Sequence, residues 1–102
     1  MSLRFNVLET YVEGWADERG IFDDPNPQAQ LLKTLEELGE VAHALARSDR
    51  DLMIDGVGDV LVTLILFSHM HQFTLTQALE QAYGEIAGRK GKMVNGFFVK
   101  EE

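Results

Sequence analysis

Apolar residues recur at Leu3, Val7, Tyr11 and Trp15, the four-residue step of one helix face, and the run stops at Gly20, a suitable C-terminal cap. This spacing predicts a first helix over residues 3–20. DDPNPQ, residues 23–28, is a loop by its Pro and Asn content. A second helix is predicted over Pro27–Arg47, where Leu31, Leu35, Leu38, Ala42 and Leu45 alternate steps of four and three, the seam of a packed bundle helix. ARSDRD breaks that pattern, and Ser48 or Asp49 offers an N-cap for a third helix over residues 50–72. Within it VLVTLIL would also fit a buried strand; the segment's length and its cap favour helix. Thr74 or Thr76 caps a fourth helix reaching about Lys90, with Leu75, Leu79, Ala82 and Ile86 along one side. In the tail GKMVNGFFVKEE, Asn95-Gly96 between MV and FFV signals a type I′ hairpin. A lone two-stranded hairpin is marginal in water, so it should lean on the bundle or on a second subunit. The expected fold is all-α, a four-helix bundle with a short C-terminal β-hairpin.

The polar positions that break this pattern carry the chemistry. DGVGDV, residues 55–60, puts Asp55 and Asp59 at the mouth of the most apolar segment. On a helical wheel they point the same way as Val62, Leu66 and Met70, while Val57, Leu61, Leu64 and Ile65 cover the other side. A helix apolar all round is expected to be buried, and a buried carboxylate needs a partner, a proton or a metal. In EELGE of the second helix, Glu37 and Glu40 share a face roughly opposite the leucine stripe, with Lys33 one turn before Glu37. Taken alone, that helix also reads as a solvated acidic face.

The link between these helices is short, so they should pack as an antiparallel hairpin. Equal rise along both then brings Glu37 level with Asp59 and Glu40 level with Asp55. Four carboxylates at one height would repel one another without a cation. Oxygen-only ligation suits a hard divalent ion, Mg²⁺ or else Mn²⁺, which binds through carboxylates and substrate phosphates.

Composition narrows the field. The 102 residues allow one domain, residues 1–102, and 45% hydrophobic content argues against disorder along its length. With no cysteine, thiolate chemistry and sulfur-ligated metals are excluded, which suits a cytoplasmic setting. The N-terminus lacks the pattern of a signal peptide, and Val60–Leu79 carries too many polar groups for a comfortable membrane span, so no membrane association is expected. Seventeen acidic residues against nine basic ones, net charge −8, argue against a nucleic-acid partner. A small anionic ligand remains possible through a bridging metal.

LLKTLEELGEVAHAL followed by IDGVGDVLVTLI resembles the all-α MazG-like nucleoside triphosphate pyrophosphohydrolases. The flanks WADERGI and AYGEIAGRKGKMVNGFFVKE are similar to short phage and mobile-element members, so the likeness runs from about residue 11 to 101. The resemblance implies Mg²⁺-dependent hydrolysis of a nucleotide triphosphate between the α and β phosphorus, giving monophosphate and pyrophosphate. It also implies a homodimer or a dimer of dimers. Glu36, Glu37, Glu40 and Asp59 match the family pattern, whereas its second-helix glutamate is replaced by Gly56, and Asp55 is the available substitute. The implied ligand set is Glu37, Glu40, Asp55 and Asp59, with Glu36 or Glu37 holding or deprotonating the attacking water. Lys33, Arg89 and Lys92 are candidates for phosphate contact, as is Lys90. The cluster of Arg89, Lys90 and Lys92 also fits plain basicity at a helix C-terminus.

Other readings rest on single features. Trp15 could stack on a nucleobase, although a tryptophan at helical spacing with Tyr11 also reads as core. Glu40-x-x-His43 has the ligand spacing of di-iron and di-manganese carboxylate bundles, but the wheel turns His43 towards a flank and the third helix offers no second such pair. His69 and His71 read as ordinary helix-end residues. A non-catalytic helical dimerisation module would use the third helix as a seam, and leaves the two aspartates in that seam unexplained.

Overall fold

A computed structural model of the chain describes residues 3–101. It shows the expected all-α class: α1 (Phe5–Glu18), α2 (Pro27–Ala46), α3 (Arg50–Met70) and α4 (Leu75–Ile86), followed by the strands β1 (Gly91–Val94) and β2 (Phe97–Lys100). Glu102, the last residue of the expected tail, lies outside the described residues.

The helix starts follow local chemistry. Asn26 accepts a hydrogen bond from the Ala29 N–H at 3.0 Å, with Pro27 in the first turn. Asp49, rather than Ser48, caps α3 by accepting from the Leu52 N–H at 3.1 Å. Thr74 accepts from the Gln77 N–H at 3.0 Å while the Gln77 side chain accepts from the Thr74 N–H, a reciprocal capping box. The ends come earlier than predicted. Gly20 has φ +75° and turns the chain out of α1 two residues sooner, and Gln72 at φ +61° closes α3. α4 stops at Ile86, so Arg89 and Lys90 lie in the connection to β1, not in the helix. Asn95 (φ +50°) and Gly96 (φ +84°) form the two-residue turn expected between the strands, with Val94 paired to Phe97.

The principal packing unit is the α2–α3 hairpin. Its interface is built from small and polar residues: Thr34 donates to the Thr63 hydroxyl at 2.9 Å, and Thr63 donates to the Val60 carbonyl at 2.7 Å. Gly56 brings α3 against Val41, where a Cβ on residue 56 would stand 2.8 Å from Val41 Cγ2. These two pairs sit symmetrically about the turn at Ser48–Asp49, the register anticipated from the short link.

The face of α2 in that interface differs from the one expected. Thr34, Glu37 and Ala44 are buried, while Leu31, Leu35, Leu38 and Leu45 are exposed in the single chain. These three small or polar side chains permit a close backbone approach that leucines would prevent, and the leucine stripe is left over. The expectation that α3 is buried all round is corrected for the same reason. α3 packs among α1, α2 and α4, and its C-terminal half buries Ile65 and Leu66, whereas its N-terminal half leaves Ile54, Val57 and Leu61 exposed. α3 is also the one described helix long and apolar enough, by length and composition, to cross a membrane.

α1 is fastened by carboxylates. Glu9, 2% exposed, accepts from the backbone N–H groups of Leu75 at 2.5 Å and Thr76 at 3.1 Å and from the Thr76 hydroxyl at 2.6 Å. An anion at the N-terminus of α4 satisfies both the free donors and the helix dipole. Neither β1 nor β2 lies against any helix, among the described residues; each strand packs only on the other. The radius of gyration, 16.1 Å, exceeds the roughly 13 Å typical of a compact chain of about this length.

Candidate active site

Because α2 and α3 run antiparallel in this register, their acidic turns meet. Glu40 and His43 from α2 and Leu52, Asp55, Gly56 and Asp59 from α3 line one cavity of about 390 Å³. Three of the four predicted ligands therefore share one opening, and His43 shares it too, although the wheel had turned it towards a flank. The burial expected for the aspartates is not found: Asp55, Asp59 and Glu40 are exposed in the single chain.

The buried carboxylate is Glu37, 9% exposed, one turn before Glu40 on the face that packs against α3. Its Oε1 lies 3.6 Å from Lys33 Nζ, and its Oε2 has no hydrogen-bond partner among the described residues. An unpaired buried carboxylate oxygen is costly unless a cation or a proton joins it. Lys33 also lies 3.7 Å from Oε1 of Glu36, so it bridges the two adjacent glutamates, and Glu36 is the more exposed of them.

Among the described residues, no three acidic or histidine side chains stand close enough to make a ready metal cage. The donors nevertheless fit a hard divalent ion. They are carboxylate oxygens on facing helices, one is orphaned in the interior, and Mg²⁺ commonly keeps several waters in place of a full protein shell.

A family model described as the MazG nucleotide pyrophosphohydrolase domain matches residues 26–94. The chain belongs to the MazG nucleotide pyrophosphohydrolase family. An uncharacterized 18.2 kDa protein in the rep-hol intergenic region of Haemophilus phage HP1 is 33% identical over 57 residues, covering 56% of this chain. The matched stretch covers 35% of that relative's own length. No solved structure matches the chain.

Against the MazG pattern, the close contact with Val41 accounts for Gly56. In this packing residue 56 has no room for the family glutamate, while Asp55, its neighbour, lies on the cavity lining. Trp15 is 45% exposed and not core. With Leu8, Tyr11, Val12 and Val62 it lines a second cavity of about 370 Å³, and Asp59 is the residue that both cavities share. The Arg19 guanidinium lies 4.8 Å from the Trp15 ring centroid. Arg89, Lys90 and Lys92 are not brought to the acidic cavity by their own chain; Lys92 lies on β1, away from α2 and α3.

Two features escaped the sequence reading. Glu9 looks like any surface glutamate until α4 is placed over it. His69 is more than a helix-end residue: its Nδ1 lies 3.1 Å from Glu13 Oε2, and its ring stands 4.3 Å from that of Phe22, tying α1 and the following loop to the end of α3. No local spacing connects residues so far apart in the chain.

Proposed function

We propose that the chain is a divalent-metal-dependent nucleotide pyrophosphohydrolase. It hydrolyses nucleoside triphosphates, most readily deoxynucleoside triphosphates, between the α and β phosphorus atoms. The observation that carries this reading is the α2–α3 hairpin, which gathers Glu40, Asp55 and Asp59 about one cavity beside the buried, half-unpaired Glu37 in a MazG chain.

Glu37, Glu40, Asp55 and Asp59 would hold Mg²⁺, or Mn²⁺ in its place. Such an ion, when bound, neutralises the triphosphate and lowers the pKa of water. Glu36 or Glu37 orients the attacking water and takes its proton; Glu36 is the one with open access to solvent. The water oxygen bonds to the α phosphorus, the bond from that phosphorus to the bridging oxygen breaks, and pyrophosphate leaves. Lys33 holds Glu36 and Glu37 together at rest and, one helical turn before Glu37, offers a cation to a substrate phosphate. Trp15, 45% exposed and lining the neighbouring groove, offers a stacking surface for the base. The lack of cysteine is in keeping with a cytoplasmic setting, and the exposed leucine stripe with a homodimer or a dimer of dimers.

A second reading has one observation in its favour. His43 stands in the same cavity as Glu40, Asp55 and Asp59, so a mixed imidazole and carboxylate site for iron or manganese is a distinct alternative.

The test is chromatography of products after incubation with each common dNTP and NTP, in Mg²⁺ and in EDTA. Monophosphate plus pyrophosphate, abolished by EDTA, is the expected result. No turnover in Mg²⁺ or Mn²⁺ defeats the proposal and moves attention to iron loading at His43. Asp59→Asn should lower activity by more than the ~10- to 100-fold typical of losing an outer-shell partner, with helix content unchanged by circular dichroism.

A further inference from the structure

The last turn of α1 ends in a stacked pair of side chains, Arg19 over Trp15. Arg19 is the residue that closes the helix, and Gly20, at φ +75°, turns the chain away immediately after it. A basic residue at this end of a helix complements the dipole and can bond its last carbonyls. Arg19 does so, donating from Nη1 to the Trp15 carbonyl oxygen at 2.9 Å. That bond explains a cation at the helix end. It does not explain where the guanidinium lies, with its Cζ over the Trp15 indole at 4.8 Å from the ring centroid. Glu18 does not explain it either: it is 3.9 Å away, and an exposed pair at that distance contributes little.

Trp15 is the single tryptophan of the chain and is nearly half exposed, so packing alone does not hold its indole in one orientation. A flat ring has two faces, and the guanidinium covers one of them. Because Arg19 is bonded to the backbone four residues back, it is an anchored support, and a cation over an indole face is attracted to the ring. A stacking surface ordered before its ligand arrives loses less freedom on binding, and the difference appears as affinity. The rest of the groove, Leu8, Tyr11, Val12 and Val62, is mostly apolar, and Asp59 joins it to the acidic cavity.

We propose that Arg19 is a positioning residue for the nucleobase: it holds the Trp15 indole so that the ring face it leaves uncovered receives the base. Arg19 touches neither the base nor the reacting atoms and acts only through Trp15. The inference rests on the pyrophosphohydrolase reading for the identity of the ligand. Stacking in a groove of this lining tolerates any base, since every base has a π face. Arg19 therefore strengthens the binding of all of them by a similar factor and selects none.

The single tryptophan reports on this directly. The probes are α,β-methylene deoxynucleoside triphosphates, which resist cleavage between the α and β phosphorus, and inorganic tripolyphosphate, which has no base. Each is titrated in Mg²⁺ against the wild type, Arg19→Ala and Arg19→Lys, with folding checked by circular dichroism. In the wild type the nucleotide analogues should quench Trp15 fluorescence. Arg19→Ala should weaken their binding by about two- to tenfold, alike for all four bases, and open the indole to acrylamide quenching. Binding of tripolyphosphate, read by calorimetry, should not change. In turnover KM should rise by the same factor with kcat unchanged, the mark of lost uniform binding. Arg19→Lys keeps a cation but not the planar group, and should restore part of the affinity. Arg19→Ala with wild-type acrylamide quenching and wild-type analogue affinity overturns the proposal. Equal weakening of analogue and tripolyphosphate also overturns it, by making Arg19 a phosphate contact. No quenching of the wild type by any analogue overturns it whether or not nucleotides are turned over. Quenching and its loss in Arg19→Ala, in a chain that releases no pyrophosphate, uphold the positioning role and defeat only the pyrophosphohydrolase reading.

Discussion

The molecule contains two antiparallel hairpins, one of helices and one of strands, and they are opposites. The α2–α3 hairpin is locked by internal complementarity: hydroxyl to hydroxyl at Thr34 and Thr63, and Cα against side chain at Gly56 and Val41. Its outer surface collects carboxylates. The β1–β2 hairpin closes correctly at Asn95-Gly96, yet no helix covers either face among the described residues, and its charges are cationic. One hairpin has its packing partner within the chain; the other has none there. The lesson is that a turn can fix the geometry of an element without supplying the burial that stabilises it, and the missing burial marks where another surface belongs.

The contrast can be broken at specific residues. The largest effect on folding should come from Gly56→Val, which drives side-chain atoms into Val41. Overpacking of this kind costs about 1–3 kcal/mol, and urea unfolding should show it as a lower midpoint with the cavity residues displaced. Thr34→Val removes the hydroxyl link to Thr63 while keeping the shape. A loss of about 1 kcal/mol is expected by the same measurement, since Thr63 keeps its bond to the Val60 carbonyl. Gly58→Ala has the opposite sign. A Cβ there meets nothing within 4 Å, so removing a helical glycine should stabilise the fold by ~0.5–1 kcal/mol in thermal melts.

The smallest effect on the helices should come from Asn95→Ala. Alanine resists the left-handed turn by roughly 1–2 kcal/mol, which should cost the strands their hydrogen-exchange protection. The melting of the helices should not move, because neither strand rests on them. A helical midpoint that fell with Asn95→Ala would show that the two hairpins are coupled within one chain.

Much of the architecture was written locally. Asn26, Asp49 and Thr74 cap helices because a short polar side chain can reach the free N–H groups of a first turn wherever it occurs. The Asn95-Gly96 turn follows likewise from backbone freedom at two positions. The meeting of Glu40 with Asp55 and Asp59 was legible as well, because a short link and a fixed rise per residue leave little choice of register.

What the sequence could not decide was which face of each helix would be used. Periodicity nominated the leucines of α2 for the internal seam, but the close approach of α3 selected Thr34, Glu37 and Ala44 instead. Burial followed that choice, making Glu37 the interior carboxylate and leaving Asp55 and Asp59 open. Gly56 showed its purpose only once Val41 stood over it, and Glu9 only once α4 was placed. The chain alone therefore determined the elements, their caps and the inventory of acidic groups, because these depend on neighbours a few residues away. Burial, pairing and exposure were decided in the tertiary structure, because they depend on which surfaces touch.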